Sequence, residues 1–237
     1  MNNHHTNIVR IVAVARALVE LNEEVVFIGG AVVSLYSNKP ELMDLRVTDD
    51  VDIVIEIANR GKYIQLQERL RALGFQEDIE SNVICRWKIN GIVVDIMPND
   101  PDIIGFTNPW YEEGYKHKIV KTVKDIEVNI FSAPYFLATK LVALKTRPSG
   151  PDGKAIDWRW SQDFEDIVKV INEIDLFEHL AQTSDELKLF LKYSFDEIRT
   201  DDAFLEEAIS ANLIQPFYTD EDIENIIVKI NHIADDL

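Results

Sequence analysis

The stretch that most constrains this chain is split in two. Phe27-Ile28-Gly29-Gly30-Ala31 reads as an apolar strand ended by a glycine pair, and about twenty residues later Asp50-Val51-Asp52 heads the apolar run Ile53-Val54-Ile55. Side chains alternate across a strand, so Asp50 and Asp52 leave the same face. Two carboxylates on one face repel each other unless a cation lies between them. Magnesium, which takes carboxylates together with substrate phosphates, meets that need. Glycines between a strand and a helix start let phosphate oxygens approach backbone N–H groups. The pair belongs neither to a G-x-G-x-x-G fingerprint nor to a loop with Gly-Lys-Ser/Thr. The plainer alternatives are a simple turn and two ordinary strand-entry acids.

Periodicity frames this pattern. Ile8, Ile11, Val12, Ala15 and Leu18 give helical spacing over 7–21. Val25 to Ile28 is a short apolar strand, a second helix is expected over Ala31–Tyr36, and 37–49 is a polar connection. Val51–Ile57 is too apolar to alternate cleanly and suits a central strand. Residues 60–73 read as a helix ending at Gly74. Asn90-Gly91 between Val83–Ile89 and Ile92–Met97 predicts a hairpin, since both turn positions favour positive φ. A second hairpin is expected at Lys118–Val123 and Ile126–Phe131. After Ser132 the period changes. Pro134 suits the first turn of a helix running to about Thr146, a Pro- and Gly-rich loop covers 147–157, and from Ser161 the chain reads as four or five helices.

Charge is unevenly placed. The net charge is −18. Residues 161–237 carry five Lys/Arg against twenty Asp/Glu, while 116–159 hold nine Lys/Arg against four acids. The overall sign argues against nonspecific nucleic-acid binding, which needs phosphate neutralisation. The local basic stretch is compatible with a nucleotide or a structured RNA. The acidic tail suits a solvated surface or a basic partner. The one cysteine, Cys85, rules out internal disulfides and reads as a small buried hydrophobe. With no apolar run of spanning length and no signal peptide, the expectation is a soluble, cytoplasmic protein without membrane association.

Asp95 adds to the carboxylate pair. It interrupts the apolar run Ile92-Val93-Val94-Asp95-Ile96-Met97. An acid there is either functional or paired with a base such as Arg86 or Lys88. If its strand neighbours that of Asp50 and Asp52, three carboxylates face one another, enough for two metal ions in in-line phosphoryl transfer. Asp95 then has the position of a general base.

The combination of strand, Gly-Gly, helix, Asp-x-Asp strand and later Asp resembles the nucleotidyltransferase fold of the DNA polymerase β superfamily. Arg46-Val47-Thr48-Asp49-Asp50-Val51-Asp52 resembles the R-x-S/T-x-D-h-D signature of the AbiEii/AbiGii toxin-like group, which includes the MenT-type tRNA-modifying toxins. Tyr135-Phe136-Leu137-Ala138-Thr139-Lys140-Leu141-Val142-Ala143-Leu144 is similar to that group's lysine-bearing helix, and Gln162-Asp163-Phe164-Glu165-Asp166-Ile167 to its acidic helix. The resemblance covers roughly 25–170. It implies an α+β fold, a mixed sheet with flanking helices followed by a C-terminal helical bundle. It also implies a catalytic domain over 1–131 and a helical domain over 132–237 that completes the nucleotide site.

The same resemblance implies a site. Asp50, Asp52 and Asp95 are its catalytic and metal-binding residues; Gly29, Gly30, Arg46, Lys140, Asp163 and Asp166 are its nucleotide-binding residues. Mg2+ or Mn2+ is the cofactor and a nucleoside triphosphate the substrate. Lys140 shares a helical stripe with Leu137 and Leu144, so it either snorkels or reaches a buried anion. Asp163 and Asp166, on one shoulder of their helix, pair with Lys140, orient the nucleotide, or are plain surface acids. Ala31 departs from the hydroxyl residue common after the Gly-Gly turn, and resembles the Gly-Gly-Ala-Val of CCA-adding enzymes, although Val33-Ser34 replaces their Arg-Asp.

Three functions follow as expectations. The first is transfer of a nucleoside monophosphate from an NTP to an acceptor hydroxyl with release of pyrophosphate. Its acceptor is tRNA, and its role is that of the toxin in a toxin–antitoxin or phage-defence pair with an antitoxin partner. The second keeps the chemistry with a small antibiotic-type acceptor. The third is a protein of the same fold that binds a nucleotide or partner without catalysis, the reading that Ala31 favours.

Overall fold

A computed structural model gives the fold, and the residues described are 3–18, 21, 24–81, 83–105, 107–146, 157–199, 202–213 and 217–237. The chain divides into two compact units, Met1–Val32 with Leu45–Ser132, and Val33–Asp44 with Ala133–Leu237.

The first unit is built on one mixed sheet. Its elements are helix α1 (Asn3–Leu18), strands β1 (Val25–Ile28) and β2 (Asp50–Ile55), helix α2 (Arg60–Ala72), and strands β3 (Gln76–Glu77), β4 (Arg86–Ile89) and β5 (Ile92–Pro98). Short helices α3 (Pro101–Ile104) and α4 (Tyr111–Lys116) follow, then strands β6 (Lys118–Val123) and β7 (Ile126–Phe131). The seven strands lie in the order β3-β4-β5-β2-β1-β7-β6. β2 is central, antiparallel to β1 and parallel to β5.

Burial follows from this placement. All four residues of β1 are buried. On β2, Val51, Ile53, Val54 and Ile55 are buried, while Asp50 and Asp52 are half-buried on the opposite face from Val51 and Ile53. α1 buries Ile8, Ile11, Val12, Ala15 and Leu18, the stripe its spacing predicts. The β4–β5 turn has Asn90 at φ 50° and Gly91 at φ 78°, as its sequence predicts, and Lys124 opens the β6–β7 turn at φ 57°.

The second unit is helical. It contains α5 (Ala133–Thr146), α6 (Gln162–Glu173), α7 (Asp185–Ile198), α8 (Asp202–Asn212) and α9 (Asp220–Asp236), with a 3-10 helix at Leu176–Gln182. Hydroxyl caps start several of them: Ser161 Oγ accepts from the Phe164 N–H, and Ser184 Oγ from the Leu187 N–H. Thr219 and Asp222 form a capping box at α9. The Lys229 ammonium donates to the carbonyls of Ile171, Asn172 and Ile174, closing the C-terminal end of α6.

The fold class read from the sequence, α+β with a mixed sheet and flanking helices followed by C-terminal helices, is the one observed. The segment Ala31–Tyr36, expected as an α-helix, lies in a 3-10 helix that spans Gly30–Tyr36. β3, α3 and α4 carry no clear periodic signal, being two, four and six residues long. The expected Pro- and Gly-rich loop over 147–157 lies outside the described residues, except Asp157. Among the described residues no helix is long and apolar enough to cross a membrane.

Candidate metal centre

The parallel pairing of β2 with β5 sets Asp52 directly opposite Asp95. Asp50 is two residues back on the same face of β2. One carboxylate oxygen from each of the three lies within 4.8 Å of the others. Asp95 is 8% exposed, and the other two are half-buried. Three acidic oxygens at this separation form a hard-donor set suited to a divalent cation.

Arg86 completes the row. Antiparallel pairing of β4 with β5 sets it opposite Asp95. Its Nε donates to Asp95 Oδ1 and its Nη2 to Asp95 Oδ2, both at 2.8 Å, and Nη2 also reaches Asp50 Oδ2 at 3.2 Å. Hydrogen bonding to Asp95, with the charges of Asp95 and Asp50, raises the guanidinium pKa against the opposing effect of burial. Lys88, the other candidate partner on β4, is instead paired with Asp78 at 2.8 Å. Both sequence readings of Asp95 therefore hold together: it joins the carboxylates, and it is salt-bridged to Arg86. Cys85 is buried beside this row, and its thiol is pushed up to about 12, first by burial and then by the charge of Asp95.

The glycine pair has a structural reason of its own. Gly29 sits at φ +73°, and a Cβ there would stand 2.0 Å from Asp52 Oδ2. A Cβ on Gly30 would stand 2.3 Å from an Arg46 guanidinium nitrogen. The space left by each missing side chain is thus filled by a predicted site residue: Asp52 over Gly29 and Arg46 over Gly30. Arg46 is delivered by a segment that α1 holds in place. Asn7 Nδ2 donates to the Arg46 carbonyl at 3.0 Å, and Asn7 Oδ1 accepts from the Thr48 N–H at 3.2 Å. Asn7 is buried among the apolar residues of α1. The sequence reading missed it, although an amide inside an apolar helical stripe is the signal for such a clamp.

The remaining predicted residues meet in the helical unit. Lys140 Nζ lies 3.1 Å from Asp163 Oδ1 and 2.6 Å from Asp166 Oδ2. The three are 8, 5 and 2% exposed. Neither snorkelling of Lys140 nor a surface position for the two acids is what the structure shows. Burial works to lower the Lys140 pKa, but the charges of Asp166 and Asp163 outweigh it and raise the value. The structure therefore gathers Gly29, Gly30, Arg46, Asp50, Asp52 and Asp95 in the sheet unit, and Lys140, Asp163 and Asp166 in the helical unit.

No protein-family profile matches this chain, and no curated protein sequence does. Among solved structures the chain is similar to an antigenic nucleotidyltransferase-like protein from Paracoccidioides brasiliensis, at 16% identity with a TM-score of 0.49, over 88% of this chain and 94% of that one. Identity this low assigns no residue and no activity.

Proposed function

We propose that this chain is a divalent-cation-dependent nucleotidyltransferase that transfers a nucleoside monophosphate from an NTP to an acceptor hydroxyl. The observation that carries the reading is the meeting of Asp50, Asp52 and Asp95 within 4.8 Å on two paired strands. When bound there, Mg2+ or Mn2+ neutralises phosphate charge and makes a hydroxyl easier to deprotonate. Asp50 and Asp52 hold the cation. Asp95, fixed by both of its hydrogen bonds from Arg86, accepts the proton of the acceptor hydroxyl. Arg46, seated over Gly30, presents a cation to the phosphates. The acceptor in this reading is tRNA. The role is that of a toxin in a toxin–antitoxin or phage-defence pair, following the likeness of 46–52 to the AbiEii-type signature.

The test is magnesium-dependent binding of each NTP, followed by labelled transfer to total tRNA. Transfer that disappears in Asp52→Ala supports the reading. Labelling of small aminocyclitols but not of RNA moves the acceptor to a small molecule. Nucleotide binding with no transfer to any acceptor removes the enzymatic function.

A specific observation favours this last, non-catalytic reading. Lys140, assigned to nucleotide phosphate by resemblance, has its ammonium held by two buried carboxylates. Ala31, buried and without a hydroxyl, points the same way. Under this reading the carboxylates of the sheet bind a cation and a nucleotide without turnover.

A further inference from the structure

The carboxylate triad already contains a cation of its own. Arg86 spans Asp95 with two donors in the bidentate arrangement that makes guanidinium–carboxylate pairs strong. The same Nη2 extends to Asp50. Asp52 has its Oδ2 over Gly29, on the other side of the row. Counted apart from Arg46, which lies over the neighbouring Gly30, the three carboxylates and Arg86 carry a formal charge of −2. Without Arg86 the same oxygens carry −3. Lys88, two residues on and on the same face of β4, is tied to Asp78 and does not share this work.

We infer that Arg86 is the resident counter-ion of the site, a positioning residue that competes with metal for Asp95 and sets how much metal the substrate-free protein takes. It rests on the reading of the triad as a cation site. Asp50 and Asp52 carry cation binding in the substrate-free protein, and Asp95 stays with Arg86. The guanidinium is fixed in place by strand pairing and half-buried, so its repulsion of a second positive charge is only partly screened. It also keeps Asp95 aligned where three like charges would otherwise push one another apart.

The experiment measures Mn2+ binding to the full chain by calorimetry and by loss of the free-ion EPR signal. It compares the wild type, Arg86→Gln, Asp95→Asn and the double variant. Gln keeps hydrogen-bonding capacity towards Asp95 and removes the charge. Arg86→Gln is expected to tighten Mn2+ about tenfold, since it removes a unit charge within contact range of the ion. Asp95→Asn is expected to weaken binding less than about threefold in the wild-type background and more than about tenfold in the Arg86→Gln background, the signature of coupled neighbours. Equal or weaker Mn2+ binding in Arg86→Gln overturns the inference, as does an identical effect of Asp95→Asn in both backgrounds. If Arg86→Gln fails to fold, Arg86→Lys keeps the charge and is expected to bind Mn2+ within about threefold of wild type; a tenfold tightening there overturns the inference too. A wild type and variants that all bind no Mn2+ remove the cation reading itself, an outcome distinct from bound Mn2+ that ignores Arg86.

Discussion

The Lys140 cluster and the Arg86 cluster each set two carboxylates around a cation, and they differ in what surrounds them. In the helical unit Lys140 faces Asp163 and Asp166, and the three are almost fully enclosed. In the sheet unit the Arg86 guanidinium bridges Asp95 and Asp50, two of the three carboxylates, and Arg86, Asp50 and Asp52 remain partly open to solvent. A buried ion pair contributes little beyond what an apolar replacement would, but breaking it strands a charge out of water. A half-open cluster with excess negative charge costs stability in the resting state and recovers it when a cation binds. The first has the enclosure of a structural clamp, and the second has the openness and excess charge that the proposed cation site requires.

The largest expected effect comes from breaking the clamp. Lys140→Met leaves Asp163 and Asp166 buried without their ammonium and should cost about 3–5 kcal/mol, a fall of roughly 10 °C in Tm for a chain of this size. Calorimetric or CD melting checks it; an unchanged melt would make the enclosed cluster no clamp at all. The raised pKa of Lys140 gives the pH sign. Its stabilisation is complete at neutral pH, below the ordinary lysine value, and is lost only as pH rises through the higher folded value.

The next effect is read at Cys85, buried beside the open cluster. Burial and then the charges of Asp95 and Asp52 raise its thiol from 9.0 to about 12. At pH 9 the thiolate fraction falls from about one half in an unfolded chain to about one thousandth in the native protein, so iodoacetamide labelling should slow about 500-fold on folding. The sign is that of an acid with a raised folded value. Its contribution to stability is intact below pH 9 and is lost as pH climbs towards 12. Labelling at pH 9 that is as fast in the native protein as in urea would show that neither burial nor the charge of Asp95 raises the thiol.

Gly29→Ala follows. A side chain at φ +73° costs about 1–2 kcal/mol in the backbone alone, and its Cβ must also displace the Asp52 carboxylate. Both a lower melting temperature and weaker Mn2+ binding are expected, with Gly91→Ala as the control. Gly91 is also at positive φ, but nothing lies near its missing Cβ. Equal loss of Mn2+ affinity in the two variants would detach the glycine from the site.

Much of this was legible in the sequence, for reasons that differ by residue. The strands β1, β6 and β7 and the turn at Asn90-Gly91 follow from runs of apolar residues and from positive-φ chemistry, which are local properties. Asp95 was legible as an acid inside an apolar strand, but its position opposite Asp52 depends on a parallel pairing between strands forty residues apart, which no local pattern specifies. The glycine pair was legible as a turn, and its use was not. The sequence suggests an approach for phosphate; that Asp52 and Arg46 lie over the two glycines is visible only in the fold. Asn7 stands out as an amide in an apolar helical stripe, but its partners Arg46 and Thr48, like the double contact of Arg86 with Asp95 and Asp50, are products of tertiary packing.

The smallest change in stability should come from Asp52→Asn, and it separates the two clusters most sharply. Asn keeps the shape that fills the space over Gly29 while removing one of three mutually repelling charges. Stability without added metal should stay within about 1 kcal/mol of wild type, or rise, since functional sites hold like charges together at the expense of stability. The matching change in the clamp, Asp166→Asn, removes a charge that faces Lys140 at 2.6 Å and should destabilise at every metal concentration. Added Mn2+ should raise the wild-type melting temperature, with a logarithmic dependence on its concentration above Kd, and leave that of Asp52→Asn unmoved. Opposite outcomes, with Asp52→Asn unfolding early and still responding to Mn2+, would exchange the two assignments and make the sheet cluster the structural one.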